Sequence, residues 1–278
     1  MTRYLVVPQW QGSPSSRAMQ LIDGAQAIAG DLPRASTTVL DVPMEAGESL
    51  GTGIHRLSAL QRVHGMVAEA LAAHGSAAPD EPVLTIGGDC GIALAPIAHA
   101  ARRAPALAVV WIDAHPDLNS PETSPSGAFA GMVLRAVVGD GVPGLALPGG
   151  TVVPGRVVIG GARSFDDPEL TAVADFGITS LAVDRFAEAD ALADAVAATG
   201  ADAVYVHVDI DALDPAEIAG NAHPEPFGIT VAELTVALAR LRARVPLVGA
   251  SLAGYSPTSA AAATDDLGAI LRVIGALA

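Results

Sequence analysis

The chain has 278 residues, 51% of them hydrophobic, which is enough for one large α/β domain with a sizeable core. Its formal net charge of −15 argues against nucleic-acid binding, which needs a basic face. All 15 basic residues are arginine, so chemistry that depends on lysine is excluded. No apolar run approaches the roughly 18 residues of a membrane span, and the N-terminus lacks the features of a signal peptide. A single cysteine, Cys90, excludes an internal disulfide and favours a cytoplasmic protein.

In chain order, short β-branched runs alternate with alanine- and leucine-rich stretches of helical period. The predicted strands are 4–7, 38–40, 83–86, 107–112, 156–159, 179–183, 204–209 and 247–251. The predicted helices are 16–28, 57–73, 92–103, 129–138, 168–175, 186–199, 231–244 and 264–277. Strands that are apolar throughout and separated by helices predict a parallel sheet covered on both faces, an α/β fold. We expect one domain over residues 1–278, because neither of the loops rich in Pro, Gly and Ser resembles a linker.

Two clusters of acidic and histidine residues follow predicted strands. The first contains Asp113, His115 and Asp117 at alternate positions, and the second contains Asp209 and Asp211. Alternate side chains of an extended strand project to one face, and ligands bind at the carboxyl ends of parallel strands. Each cluster is therefore predicted to converge on a pocket, and four carboxylates meet there if the two strands are neighbours.

Such a pocket needs positive charge, because isolated ionised carboxylates are very costly to desolvate. The sequence has no lysine, and neither cluster contains an arginine. A divalent cation, or a bridged pair of cations, is the natural counter-charge. Aspartate and histidine together favour manganese, with other first-row ions as second choices. Two bridged ions would lower the pKa of a bound water and hold it as a nucleophile.

Each cluster taken alone has a simpler interpretation. An isolated Asp-x-Asp is commonly a turn or a helix cap, and a histidine beside an apolar strand is commonly a buried structural residue. His207, which shares the parity of Asp209, is open to a structural role, to a supporting role beside the metal ligands and to a role as a replacement catalytic base. Two clusters at the ends of two apolar strands favour the metal site.

Four motifs resemble those of the ureohydrolase family, which includes arginase, agmatinase and formiminoglutamase. They are GGDCG at 87–91, DAHPDLN at 113–119, SPSG at 124–127 and DIDALDP at 209–215. The resemblance covers most of the chain. It implies a three-layer α/β/α fold with a mainly parallel eight-stranded sheet, in agreement with the eight predicted strands. It also implies a manganese-dependent amidinohydrolase that cleaves a guanidine C–N bond with metal-activated hydroxide.

The matching motif positions imply metal-binding roles for five residues. Asp113 and Asp209 are expected to bridge two manganese ions. His115 and Asp211 are expected to complete the coordination of one ion. Asp117 is expected to bind the other ion and to hold the bridging hydroxide by a hydrogen bond, which gives it a catalytic role.

Other positions are expected to contact the substrate. Asn119 and Ser126 match family positions that contact the amino-acid end of the substrate. His223 stands where the family often has threonine, and Glu225, in the segment HPEPFG, could reach the guanidinium from the next loop. Both are also open to interpretation as solvated loop residues, which is the more common role of such residues.

The sequence departs from the family pattern at three positions. Cys90 replaces the histidine ligand of the first ion, as in the N-hydroxyarginine hydrolase of D-cycloserine biosynthesis, which it resembles here. Cys90 is either a ligand or a small apolar filler, since a thiolate suits manganese poorly. Ala130 replaces a histidine thought to shuttle protons, and Gly254 replaces the glutamate that hydrogen-bonds the guanidinium.

Other motifs do not support a different chemistry. GGDCG lacks the spacing of a dinucleotide fingerprint and is expected to form a tight strand-to-helix turn. Ser126 is not in a G-x-S-x-G elbow, which argues against a serine hydrolase. Asp265 and Asp266 precede a helical run and are expected to cap it.

We therefore expect a hydrolase acting on a guanidine or N-hydroxyguanidine small molecule. The alternatives are a metal-dependent hydrolase of another C–N bond and a non-catalytic family member that binds a metal or ligand. The resemblance also implies a homo-oligomer, either a trimer or a hexamer.

Overall fold

The computed structural model describes residues 2–78 and 81–278. Within that part of the chain, eight strands form one sheet with the order β2-β1-β3-β8-β7-β4-β5-β6, and each neighbouring pair is parallel. The strands are β1 Arg3–Val6, β2 Thr37–Val39, β3 Val83–Ile86, β4 Leu107–Ile112, β5 Val157–Gly160, β6 Thr179–Leu181, β7 Ala203–Asp209 and β8 Leu247–Ala253.

Helices cover both faces of this sheet. They are α1 Gln20–Asp31, α2 Leu57–Ala77, α3 Leu94–Arg103, α4 Val133–Val137, α5 Asp167–Phe176, α6 Ala191–Ala198, α7 Val231–Arg244 and α8 Ala260–Leu277. One hydrophobic core packs α2, α3, α4 and α5 against one face of the sheet. A second core packs α1, α6, α7 and α8 against the other face. The result confirms the expected three-layer α/β/α fold.

The centre of the sheet is buried on both faces, which explains why its strands are apolar throughout. All six residues of β4 and all seven of β7 are buried. β4 and β7 are direct neighbours, with Ile112 paired to Val208. The residues that follow this pair, Asp113 and Asp209, therefore emerge side by side at the carboxyl edge of the sheet.

The eight strands and eight helices were all predicted, most with shifted ends. The largest shift is at α6, which was predicted from residue 186 but begins at Ala191, after a 3₁₀ turn at Val183–Ala187. The 3₁₀ turns Cys90–Ala93 and Phe129–Met132 likewise lie at the expected starts of α3 and α4. The expected strand-to-helix turn at GGDCG is confirmed. Its residue Gly88 has a φ of +76°, and a Cβ there would lie 2.5 Å from the Gln9 carbonyl oxygen, so only glycine fits.

The expectation that Asp265 and Asp266 cap the last helix is wrong. The helix begins earlier, because Ser259 caps it by accepting a hydrogen bond from the Ala262 amide and the alanines that follow are strong helix formers. Asp266 instead lies buried within α8 and accepts hydrogen bonds from the Gly220 and Ala219 amides. It therefore anchors the loop that follows β7.

None of the helices in residues 2–78 and 81–278 combines the length and the hydropathy that crossing a lipid bilayer requires.

Candidate metal centre

A cavity of about 170 Å³ opens at the carboxyl edge of β4 and β7. Its floor is acidic, with Asp113, Asp117, Asp209 and Asp211 beside His115. The rest of the wall comes mainly from the segments that follow β3, β4 and β5. Its residues are Cys90, Asn119, Ser124, Pro125, Ser126, Ala130, Gly131, Asp166 and Glu169, together with Pro14 and His223. The prediction that the two sequence clusters meet in one pocket is confirmed.

Potential ligand atoms in this region form two groups, and within each group every atom lies within 4.8 Å of the others. We call Cys90, Asp113, His207 and Asp209 the inner cluster, because all four residues are buried. We call Asp113, His115 and Asp211 the outer cluster, because His115 is partly exposed. Asp113 belongs to both clusters, whereas Asp209 belongs only to the inner one and Asp117 to neither.

Backbone amides fix the acidic side chains of the floor. The His115 amide donates to Asp113 Oδ1 at 2.7 Å, and the Asp211 amide donates to Asp209 Oδ1 at 2.9 Å. The Ala114 amide donates to Asp211 Oδ1 at 3.0 Å, which ties the two strand ends together. Each of these carboxylates keeps its second oxygen for another partner.

The turn that carries Cys90 is held by a buried carboxylate. Asp89 accepts hydrogen bonds from Gln9 Nε2 and from the Gly12 and Gly91 amides, at 2.8, 2.8 and 2.9 Å. Burial nevertheless raises the pKa of Asp89 to about 6. The fixed turn points the Cys90 thiol at Asp209, to which it donates at 2.8 Å.

His115 lies between the carboxylates of the outer cluster, with its side chain 31% exposed. Its Nδ1 is 3.0 Å from Asp211 Oδ2 and 3.5 Å from Asp113 Oδ1, and its Nε2 is 3.9 Å from Glu225 Oε1. Burial alone would lower the pKa of His115, but hydrogen bonds and charge from Asp113 and Asp211 outweigh it and raise the pKa to about 12. The site therefore attracts positive charge strongly.

The acidic floor is poorly compensated by the protein itself. Burial, and then the charge of neighbouring acidic groups, raises the pKa of Asp209 to about 7 and that of Asp211 to about 6. Burial also raises the pKa values of Asp113 and Asp117. The nearby Arg163 donates its hydrogen bonds to backbone carbonyls and takes no part in the ion pairs of the described residues. The residues present therefore fit divalent cations, which would supply the missing charge.

Asp117 adds independent support for a cation. It has a φ of +53°, a left-handed conformation that is uncommon outside glycine and that clusters at functional sites. The residue is buried, and its Oδ2 has no hydrogen-bond partner among the residues that the structure describes. A buried carboxylate oxygen without a partner is costly, and a bound ion or water would satisfy it.

His207 lies behind the floor and outside the residues that line the cavity. Its ring stacks on Trp111 with centroids 3.8 Å apart, and its Nδ1 lies 2.8 Å from Ser251 Oγ. Burial lowers the pKa of His207 to about 3. A group with that pKa is neutral at physiological pH and is poorly matched to general-base catalysis, so the geometry favours a role other than the replacement base.

The predicted substrate contacts occupy different positions around the cavity. Asn119 is buried in the wall, and Ser126 and His223 are exposed at the mouth. Glu225 is not among the residues that line this cavity, although its carboxylate approaches His115. Asn119 and Ser126 are therefore placed where a small molecule above the floor would meet them.

Two acidic wall residues were not identified from the sequence. Asp166 accepts a hydrogen bond from Asn119 Nδ2 at 2.8 Å. Glu169 is buried and accepts from the Leu118 and Asp166 amides, both at 3.0 Å. Together they form the capping box of α5, so the D-x-x-E pattern at the start of that helix was the available signal.

The positions of the missing family residues also border the site. Ala130 lies in the cavity wall, and Gly254 lines a smaller adjoining cavity of about 40 Å³. Gly254 has a φ of +86°, and a Cβ built there would meet Asp209 Oδ1 at 2.1 Å. A side chain at position 254 is therefore incompatible with this placement of Asp209.

Comparison with known proteins agrees with this architecture. The model of the arginase family matches residues 17–274. Arginase from Bacillus caldovelox is 35% identical over 182 residues, which are 63% of this chain and 61% of that protein. The matched segments span between 56% and 61% of the length of the first curated relatives.

Solved structures extend the likeness over the whole fold. The structure of Bacillus caldovelox arginase has a TM-score of 0.83 at 26% identity and covers 99% of this chain and 97% of its own. The structure of Entamoeba histolytica arginase in complex with L-ornithine has a TM-score of 0.85 at 23% identity, and it covers 99% of this chain and 97% of its own. At that identity the likeness supports the fold alone. The family model matches most of the length of the chain, and the fold agrees with that match. The chain therefore belongs to the arginase family.

Proposed function

We propose that the protein is a metal-dependent hydrolase that cleaves a C–N bond of a guanidine or N-hydroxyguanidine small molecule. The observation that carries this proposal is the floor of the cavity, where four buried aspartates meet one histidine. Divalent ions at these ligands, manganese first among them, would supply Lewis acidity and lower the pKa of a coordinated water. A floor rich in carboxylates suits manganese better than the thiol of Cys90 does.

Residues of the chain itself would position the water and bind the substrate. Asp117 Oδ2, which is buried without a partner among the described residues, is available to accept a hydrogen bond from water at the floor. Asn119, oriented by Asp166, would bind the polar end of the substrate. A cavity of about 170 Å³ limits the substrate to a small molecule.

The choice between guanidines depends on basicity. An ordinary guanidinium is strongly basic and has five N–H donors that need acceptors. Gly254 offers no carboxylate, and Ala130 offers no imidazole to move protons. An N-hydroxyguanidine is less basic and carries less positive charge, so the absence of these groups costs it less. We therefore propose that hydroxylated substrates are preferred.

The test is product release by the manganese-loaded protein from arginine, agmatine and N-hydroxyarginine, measured as urea or hydroxyurea. We expect N-hydroxyarginine to be cleaved with a kcat/KM at least about 10-fold above that for arginine, the effect of about 1.4 kcal/mol. Efficient cleavage of arginine would mean that another carboxylate of the chain binds the guanidinium in place of the family's glutamate. Two bound ions without hydrolysis of any compound would favour the non-catalytic alternative.

The homo-oligomer, expected to be a trimer or a hexamer, and the cytoplasmic location both stay predictions. This test does not address them.

A further inference from the structure

The inner cluster contains a nitrogen donor that the sequence motifs do not assign to the metal. His207 projects from β7 on the same side as Asp209, two residues earlier in the strand. One of its ring nitrogens lies within 4.8 Å of ligand atoms of Cys90, Asp113 and Asp209. The ring is 0% exposed.

The hydrogen bonds of His207 leave one nitrogen free. Nδ1 is 2.8 Å from Ser251 Oγ, whereas Nε2 has no partner among the described residues. A buried polar atom without a partner is costly, and a bound ion would satisfy Nε2. Histidines that bind metals commonly donate their second ring N–H to a nearby acceptor, and Ser251 would be that acceptor here.

Neighbouring strands hold the ring in place. His207 is paired with Trp111 on β4 and with Ser251 on β8. The Trp111 indole stacks on the imidazole with an interplanar angle of 27°. The ring is therefore held between one stacking partner and one hydrogen bond, which is the preorganisation that a ligand requires.

We propose that His207 is a metal ligand and that, with Cys90, Asp113 and Asp209, it forms an inner site of one nitrogen, one sulfur and two carboxylates. The inference rests on the proposed metal-dependent function and adds the composition of one of its two sites. In a tetrahedral zinc site with ligand distances of about 2.0–2.3 Å, donor atoms lie about 3.3–3.8 Å apart. The four donors of the inner cluster already lie within 4.8 Å of one another.

The donor set also determines which ion the inner site prefers. A thiolate and an imidazole favour zinc or cobalt(II), whereas carboxylates alone favour manganese. The inner site is therefore expected to take zinc or cobalt in preference to manganese. The outer cluster, with two carboxylates and His115, keeps the donor set expected for manganese.

The first test titrates the metal-free full chain with Co²⁺ and records its absorption spectrum. We expect a thiolate-to-cobalt charge-transfer band that saturates with one bound ion and disappears in Cys90→Ser. His207→Gln should weaken cobalt binding at this site by at least about 100-fold, because losing even an indirect partner of a ligand costs about 10–100-fold. His64→Gln, which changes a partly buried histidine outside both clusters, serves as the matched control and should bind cobalt like the wild type.

Manganese binding at the outer cluster shows whether the His207→Gln chain is folded. Unchanged cobalt affinity and an unchanged band in folded His207→Gln would overturn the proposal and leave the metal-dependent function intact. A wild-type chain that binds no divalent ion at either cluster would overturn both.

The second test does not depend on the folding of a His207 variant. A His115→Gln, His223→Gln double variant removes the other two histidines near the cavity and keeps His207. X-ray absorption at the zinc edge, with one zinc ion bound, should show one sulfur at about 2.3 Å and one imidazole at about 2.0 Å. A zinc site with sulfur and no imidazole would overturn the assignment of His207.

Discussion

The inner and outer clusters share Asp113 but differ in their surroundings. The inner cluster is buried throughout, and its histidine is held by residues of two neighbouring strands. The outer cluster is open, with a third of the His115 side chain exposed and Glu225 close to its ring. One sheet edge therefore provides two environments, and ions at the two clusters should differ in affinity, exchange and preferred element.

The largest expected effect comes from the residue that both clusters share. Asp113→Asn removes a charge from both ion sites while keeping the shape of the side chain. We expect manganese and cobalt affinity to fall by at least about 100-fold at both clusters, with loss of hydrolysis. Elemental analysis after dialysis measures the bound metal.

The control for this change is Asp31→Asn, which alters an exposed aspartate at the end of α1. It should retain the wild-type metal content. Full metal content in Asp113→Asn would show that the two clusters do not share a bridging carboxylate.

A smaller effect separates the two clusters. His115→Gln should lower affinity at the outer cluster by about 100-fold and leave the inner ion bound, because His115 is not an inner ligand. Manganese titration by calorimetry, after one equivalent of zinc has been added, isolates the outer site. The control is His223→Gln, which lies at the mouth of the cavity and belongs to neither cluster. Simultaneous loss of both ions in His115→Gln would contradict the assignment of His115 to the outer cluster alone.

The smallest effect concerns the stability of the metal-free protein. Folding raises the pKa of Asp209 from 3.8 to about 7 and that of His115 from 6.5 to about 12. A group with a raised pKa stabilises the folded chain when protonated, and this stabilisation is lost as pH rises through the folded pKa. Burial lowers the pKa of His207, so this residue destabilises the folded chain where its unfolded form is protonated, which is only below about pH 6.5. The metal-free Tm should therefore fall by roughly 5 °C between about pH 6.5 and pH 9.

Two variants assign this pH dependence to the clusters. Asp209→Asn should remove the part of the fall near pH 7, and His115→Gln the part above it. Scanning calorimetry with and without manganese is the measurement. The loaded protein should lose the fall altogether, because metal ligands bind better when deprotonated. A metal-free Tm that rises over this range would mean that the floor is compensated by groups other than those described.

The sequence predicted the fold and the acidic floor because both depend on local patterns. Apolar runs separated by helices indicated the parallel sheet, and alternate positions in the strand ends indicated that Asp113, His115 and Asp211 face one pocket. The turn before Cys90 was predicted from the glycines of the GGDCG motif. The 3₁₀ turns were missed because a short 3₁₀ segment has nearly the same apolar spacing as the first turn of an α-helix.

The parts that were not predicted depend on tertiary pairing. Parity placed His207 on the face of Asp209, but its contacts required the strand order that puts Trp111 on one side and Ser251 on the other. Likewise, Asp166 reaches Asn119 only because β5 lies beside β4. No spacing along the chain encodes contacts between residues 44 or 47 positions apart.

The backbone at Gly254 has a consequence for how this chain is related to other members of the arginase family by descent and by design. A φ of +86° and the closeness of the Asp209 carboxylate mean that a glutamate at position 254 would be strained and would displace Asp209. A mutational path that adds that glutamate therefore needs a compensating change in the segment after β8 or around Asp209, and intermediates carrying only the side-chain change should be disfavoured. Introducing a carboxylate at this position is thus a problem of loop replacement, in which the backbone must change together with the side chain.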